Sequence, residues 1–411
     1  MTPVARAPGF YGRRVVAAAF VLAVCGWGLG FYGPPIYLEA VRTARGWPLA
    51  VISAAVTTHF LAGALVVANL PALYRGFGLA TVTKAGALAL AAGVLGWALA
   101  GSPWQLFAAT VVSGAGWAAT GGAAVNAIVS PWFVRTRPVA LAMAYNGASI
   151  GGVIFSPLWV AAISILGFPL AAAIIGAVVA LTVWVLAALW FARTPAQLGL
   201  APDGDRPGAA AAPAAPSRMK PLRRGKLWRD PTFLTLAAGM ALGLFAQIGL
   251  IAHLFSLMAP ALGAQLAGLA MGAATAAAIA GRTVVGWLMS PGADRRLIGC
   301  ASYAVQIAGS VAFIAAAGTS PPLLLLGVLL FGLGIGNATS LPPLIAQAEF
   351  AEDEVPRVVS LIVAISQGAY AFAPAVFGLI RELAPGGAAF FAAAVLVQGL
   401  AIATFLAGRC R

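Results

Sequence analysis

Long apolar runs alternate with short polar breaks along the whole chain. Runs of spanning length fall at about 15–38, 49–70, 80–101, 104–128, 138–165 and 168–192, then resume at about 232–259, 264–290, 297–318, 321–346, 356–381 and 387–407. A helix needs roughly 20 apolar residues to cross a bilayer, so the pattern predicts an all-α membrane protein with twelve transmembrane helices. Barrel strands are short and alternate apolar with polar residues; these runs do neither. Arg13 and Arg14 before an apolar run look like a signal peptide ending in LAVC. The run continues past Cys25 to about Leu38, however, and Val24 is a poor cleavage-site residue, so it reads as the first membrane helix.

The runs divide six and six around a polar gap at 193–231. The gap holds PGAAAAPAAPS and then the basic stretch Arg218, Lys220, Arg223, Arg224, Lys226 and Arg229. Pro, Ala and charge without an apolar period cannot bury a core. The predicted organisation is therefore a six-helix bundle over 1–192, a cytoplasmic linker over 193–231 and a second six-helix bundle over 232–411. The basic stretch suits topology and lipid phosphates better than nucleic acid, so no nucleic-acid partner is expected. The halves are weakly alike: YNGAS (145–149) has an echo in SQGAY (366–370), with Arg137 and Arg357 at similar distances before them. Two similar halves imply a substrate site between them near mid-membrane, opening alternately to each side.

Composition excludes a soluble fold. Of 411 residues, 62% are hydrophobic and 8% charged, against about 25% charged in soluble domains. The net charge is +14, and its placement sets the orientation. With the N-terminus inside, all 24 Lys and Arg except Arg42, Arg45, Arg381 and Arg282 lie on the cytoplasmic side. The expected location is the bacterial inner membrane, with both termini cytoplasmic. Cys25, Cys300 and Cys410 stand singly and read as structural, and two histidines are too few to hold a metal. No cofactor is expected, and the chain is expected to act as a monomer in the lipid bilayer.

Arg282, in AAAIAGRTVVGWLMS, is the most informative residue. It lies about eight residues inside the eighth run, and helical side chains lean toward their own N-terminus, which aims it toward the membrane centre. An Arg there costs at least about 2.5–3.5 kcal/mol. The ten acids all fall in loops or at helix ends, so the cation wants either an external anion, which guanidinium grips in two places, or backbone carbonyls. His253, in GLIAHLFSLMAP, could donate to a substrate or carry a proton, or be a neutral packed histidine. His59, in VTTHFLAGAL, is a second proton-coupling candidate. Trp117, Tyr145, Asn337 and Gln367 are candidates for the cavity wall, although polar groups in membrane helices are most often helix glue. The motifs GxSxG, HExxH and the Walker loop are absent, which argues against an enzyme or an ATP-driven pump.

Several stretches together resemble the major facilitator superfamily, and within it the bacterial monocarboxylate and oxalate/formate carrier branch. They are PWFVRTRPVALAMAYNGASIGGVIFSPL (131–158), like that branch's WF-x-x-R-R-G signature; TPAQLGLAPDGD (194–205); AHLF around His253; and AGRTVVG around Arg282. The resemblance implies that Arg282 and His253 bind a substrate carboxylate. There are departures. The superfamily's G-x-x-x-D-R-x-G-R loop motif survives as LPALYRGFG with Arg75 and no acid, Pro138 stands where the branch has Gly, and Ala278 stands where eukaryotic relatives carry an acid. Gln367 is the nearest polar residue to the place where the oxalate carrier has Lys, which argues against a dianion. The expected function is a secondary transporter of a small organic anion, a monocarboxylate, by proton symport or by exchange (antiport). The competing readings are a carrier or efflux pump for a neutral or cationic solute, and a non-transporting sensor.

Overall fold

A computed structural model describes residues 10–204, 227–289, 293–337, 341–351 and 354–409. The basic stretch from Arg218 to Lys226, the acids Glu352 and Asp353, and Cys410 lie outside these residues. The described residues form sixteen α-helices: α1 (Tyr11–Gly30), α2 (Pro34–Arg45), α3 (Leu49–Phe77), α4 (Leu79–Leu99), α5 (Pro103–Thr120), α6 (Gly122–Val129), α7 (Arg137–Leu166), α8 (Phe168–Leu186), α9 (Pro231–Leu262), α10 (Ala264–Leu288), α11 (Arg295–Ala316), α12 (Pro321–Ile335), α13 (Leu341–Glu349), α14 (Val355–Tyr370), α15 (Ala373–Leu383) and α16 (Ala388–Ala407).

Ten helical stretches among the described residues are long and apolar enough to cross a membrane. The difference from twelve comes from two expected runs that the structure interrupts. The run expected at 104–128 is α5 and α6, separated by Gly121 in an extended conformation (φ −88°, ψ −153°). The run expected at 321–346 is α12, of 15 residues, followed later by α13. The first run is also divided, α1 ending at Gly30 and α2 starting at Pro34.

Local chemistry explains the helix ends. Pro in the first turn opens α5, α7, α8, α9 and α12, where its missing N–H is harmless. This also accounts for Pro138, which sits in the first turn of α7. Asp230 caps α9, its Oδ1 accepting from the N–H of Thr232 at 2.7 Å and of Phe233 at 3.2 Å. The pairs α3/α4, α7/α8 and α9/α10 are each joined by one glycine at positive φ: Gly78 (81°), Gly167 (74°) and Gly263 (73°). Only glycine adopts that backbone readily.

Contacts divide the chain into two compact units, Met1–Arg45 with Thr58–Pro213, and Gly46–Thr57 with Ala214–Arg411. In the first, α1 packs along α7, and α4 along α5 and α8. In the second, α11 packs against α12 and α16, α9 against α16 and α14, and α10 against α12. With no hydrophobic drive between helices in lipid, small residues that let backbones approach become the adhesive. A Cβ on Gly147 or Gly151 of α7 would strike the α1 backbone, and one on Gly281, Gly332 or Gly336 would strike backbone across the α10–α12 contact. Polar glue is present too: Gln398 Nε2 of α16 donates to Gln306 Oε1 of α11 at 3.1 Å, both side chains fully buried. Free Cys25 and Cys300 are buried in this packing.

Candidate functional site

In the second unit, Arg282 lies in the last two turns of α10, half-buried, and its Nε donates to the Gly336 carbonyl at 2.9 Å. Gly336 caps the end of α12, where carbonyls lose their helical partners. The close α10–α12 contact brings that carbonyl within reach. One edge of the guanidinium is thereby fixed by backbone, which sets the direction of its plane. The next residue is Asn337, 2% exposed, whose Nδ2 donates to Ser302 Oγ of α11 at 3.1 Å. Arg282 and Asn337 are thus brought to one place, the end of α12. The backbone-carbonyl partner expected for Arg282 as one alternative is therefore present.

His253, in α9, is fully buried. Its Nε2 donates to the Pro374 carbonyl of α15 at 3.0 Å, and its ring meets Phe390 edge-on at 5.7 Å. One turn on, Ser256 Oγ donates to the His253 carbonyl at 2.9 Å, and the Arg381 guanidinium donates to Ser256 Oγ. Arg381, read from sequence only as an outside charge, therefore reaches the same turn of α9 as His253. Gln367 is half-buried near the end of α14.

The first unit holds the other three candidates. His59 in α3 is 1% exposed and uses both ring nitrogens, Nε2 with the Gly30 carbonyl at 2.9 Å and Nδ1 with Ser113 Oγ at 2.8 Å; Ser113 Oγ also accepts from Trp97 Nε1 at 3.1 Å. A carbonyl can only accept, so Nε2 carries the proton. Trp117 and Tyr145 are joined through Trp27, whose ring lies 4.9 Å from Trp117 and 6.2 Å from Tyr145, nearly perpendicular to both. Tyr145 donates its hydroxyl to the Gly122 carbonyl at 2.8 Å, across the break between α5 and α6. Among the described residues no group of three or more His, Cys, Asp or Glu is placed to hold a metal.

Two charged sites escaped the sequence reading. The first is Asp203, within the segment taken as linker. Its carboxylate accepts from the N–H groups of Val134, Arg135 and Thr136 at 2.9–3.1 Å and from Thr136 Oγ1 at 2.5 Å. It holds the segment that leads into α7 from about 67 residues away in sequence, tying the WFVRTRP stretch to the LGLAPDGD stretch. The signal was available in PDG, since Asp tolerates the left-handed backbone (φ 60°) that points its carboxylate here. Burial alone would raise this carboxyl; the hydrogen bonds from Thr136, Arg135 and Val134 outweigh it and hold it below its ordinary value. A lowered carboxyl stabilises the fold fully above its unfolded pKa and loses that contribution as pH falls through the folded one. Asp203→Ala should therefore lower stability by about 1–2 kcal/mol at neutral pH through the lost hydrogen bonds, and the difference from wild type should shrink below about pH 4. Thermal unfolding of both proteins across pH 3–7 checks this. The second is Arg296, whose Nε and Nη2 donate to the two carboxylate oxygens of Glu349.

The Major Facilitator Superfamily model matches residues 16–374. No curated protein matches the sequence. Among solved structures, the chain is similar to a bacterial homologue of the human lysosomal transporter Spinster in an inward-facing, occupied conformation, with TM-score 0.72 and 14% identity over 98% of this chain and 97% of that one. It is similar as well to the nucleoside transporter NupG, with TM-score 0.71 and 14% identity over 97% and 98% of the two chains. At these identities the likeness speaks for the fold alone. The family match, running through most of the apolar helices described above, carries the conclusion that this chain belongs to the Major Facilitator Superfamily and is a multi-pass integral membrane transport protein, not an enzyme.

Proposed function

We propose that the chain is a twelve-helix secondary carrier that moves a small organic monocarboxylate by alternating access, with proton symport or anion exchange. The observation that carries this reading is Arg282: a permanent cation within an apolar helix, with its Nε held by the Gly336 carbonyl. A guanidinium pairs with a planar carboxylate through two parallel hydrogen bonds, which a lysine cannot offer. In this reading the bundles are 1–192 and 232–411, the linker 193–231 is cytoplasmic, and both termini face the cytoplasm of a bacterial inner membrane. His253 and Asn337 assist Arg282, and Trp117, Tyr145 and Gln367 belong to the cavity wall. A nucleoside, as moved by NupG, is neutral and makes no use of a fixed cation, which favours the acid. The test is uptake of labelled lactate by purified protein in liposomes, with uridine and tetraphenylphosphonium as the neutral and cationic alternatives. Saturable lactate uptake supports the proposal; uptake of either alternative without lactate overturns it.

Coupling gives a separate expectation. Every acid lies outside the apolar runs, so a proton carried on the protein through the membrane rides on a histidine. His59 has both nitrogens engaged, whereas His253 Nδ1 has no partner among the described residues. His253→Gln should abolish accumulation driven by a pH gradient while leaving counterflow exchange intact. Unchanged accumulation would move the coupling role to His59 or to anion exchange.

A further inference from the structure

The second unit holds two buried polar atoms that face one glycine from two other helices. Ser53 of α3 is fully buried, and its Oγ has no hydrogen-bond partner among the described residues. Elsewhere in this chain buried helical hydroxyls such as those of Thr83, Thr120 and Ser302 donate to the carbonyl one turn back; Ser53 does not. His253 of α9 is fully buried as well. Its Nε2 is committed to the Pro374 carbonyl, and its Nδ1 has no partner among the described residues. Both side chains meet at Gly378 of α15. A Cβ on Gly378 would collide with Ser53 Oγ and stand 3.4 Å from His253 Cε1, the ring carbon bonded to Nδ1, and these two side chains supply the three atoms nearest that position.

Ser53 is held over Gly378 from both sides. Toward the start of α3 the Ala50 N–H donates to Glu382 Oε2 at 2.7 Å, and one turn past Ser53 the Ala375 N–H donates to Thr57 Oγ1 at 3.1 Å. Positions 50, 53 and 57 of α3 thus lie against 382, 378 and 375 of α15, two helix faces in antiparallel register. Gly46–Thr57 and the whole of α15 and α9 belong to the same compact unit. The charged group facing this turn of α9 is Arg381 of α15, whose guanidinium donates to Ser256 Oγ. Glu382 is turned to Ala50, and α16 presents Phe390 to the ring.

A buried group that takes up and releases a proton needs a partner in both states, and a hydroxyl oxygen both donates and accepts. We propose that Ser53 is the partner of His253 Nδ1: its hydroxyl donates to the bare nitrogen of the neutral ring, and accepts from Nδ1–H once a solvent proton has bonded to the nitrogen lone pair. The first unit contains such a pairing already closed. His59 also gives its Nε2 to a carbonyl, that of Gly30, and its Nδ1 lies 2.8 Å from Ser113 Oγ. The inference rests on the reading of His253 as the coupling histidine and adds the residue that positions its proton-bearing nitrogen. A hydrogen bond from an imidazolium is stronger than one to a neutral ring, so the net effect of the Ser53 hydroxyl is to favour the proton.

The chain has two histidines, so histidine-selective nitrogen labelling of the purified full-length protein gives two rings to follow by magnetic resonance, and the signal lost in His253→Gln assigns them. Their titration midpoints are read across about pH 3–9. Ser53→Ala removes no bond present in the structure. It should move the His253 midpoint down by about one pH unit or more, a tenfold weakening of proton binding that matches the loss of one bond to a charged group, and should leave His59 in place. Ser53→Thr, which keeps the hydroxyl, should restore the wild-type midpoint. The pH dependence of gradient-driven accumulation should shift in Ser53→Ala in the same direction. A His253 midpoint unmoved by Ser53→Ala overturns the pairing and leaves the coupling role of His253 standing. Equal shifts in Ser53→Ala and Ser53→Thr also overturn it, since packing and not the hydroxyl would then be responsible. A His253 ring that never titrates in this range overturns the pairing and the coupling role together. Unchanged accumulation by His253→Gln, with the midpoint shift present in Ser53→Ala, supports the pairing and removes only the coupling role.

Discussion

Arg282→Lys is expected to reduce substrate uptake at least about a hundredfold while leaving membrane insertion intact. Lysine keeps the charge, so a site that needs only a positive potential would survive the change. It has no counterpart to the Nε–H that meets Gly336 O at 2.9 Å, and its ammonium is a mobile point donor without the planar fork. Two losses follow. The tie to the end of α12 disappears, and with it the fixed direction of the cation; the two-point grip on a carboxylate disappears as well. A hydrogen bond to a charged group contributes about 1.5–3 kcal/mol, so losing the second point of the grip and the alignment of the first reaches a hundredfold or more. Gly336→Ala approaches the same point from the other side. Its added Cβ would run into the Ala278 backbone, pushing α12 and its carbonyl away from Arg282 without touching the cation. Uptake should fall in that variant as well. Near-normal uptake by Arg282→Lys would remove Arg282 from the site.

The helices were legible because bilayer thickness writes their length into the sequence as apolar runs. What interrupts them was not. Gly121 and residues 31–33 sit inside runs whose composition barely changes, and Gly is ordinary in membrane helices, so hydropathy passes over both breaks. Arg282 was visible as a lone cation in an apolar run. Its partner was not, because a backbone carbonyl has no residue identity to read. The same blindness affected Asp203, whose partners are mostly backbone N–H groups at Val134–Thr136. The two stretches could be recognised side by side, but the bond that joins them could not. Trp117 and Tyr145 were separately plausible, but Trp27, the ring that connects them, lies far from both in sequence. Arg381 was read from its position near a helix end, which says nothing of where a long side chain reaches.

Arg296 is the clearest instance, and it carries the largest stability effect expected for this chain. By sequence it is one of two adjacent arginines at the start of a helix, a topology signal. In the structure it is 1% exposed and bonded to Glu349 at both ends, Nε to Oε1 at 2.7 Å and Nη2 to Oε2 at 2.8 Å. Its remaining donors meet Thr232 O at 2.8 Å, Thr235 Oγ1 at 3.0 Å and Phe405 O at 3.5 Å. The group ties α11, α13, α9 and α16 together, and Gly408 makes room for it, since a Cβ there would strike Nη1. Asp294 holds the start of α11, accepting from Arg296 N–H at 2.9 Å and from Arg409 Nε at 2.6 Å. Breaking a buried pair by removing one partner leaves the other charge uncompensated, at about 3–5 kcal/mol. Glu349→Gln strands the fully buried member, so it should be the more damaging single change. Arg296→Met strands Glu349, which is 24% exposed and can recruit water, so its effect should fall at or below the low end of that range. The double variant Arg296→Met with Glu349→Leu removes both charges, and replacing a whole pair by apolar residues is often neutral. It should therefore recover most of the loss seen in Glu349→Gln. Thermal unfolding of the four proteins in one detergent decides the matter. Additive losses in the double variant would mean that the two residues stabilise the fold separately, and that the bidentate pair is not what holds these helix ends together.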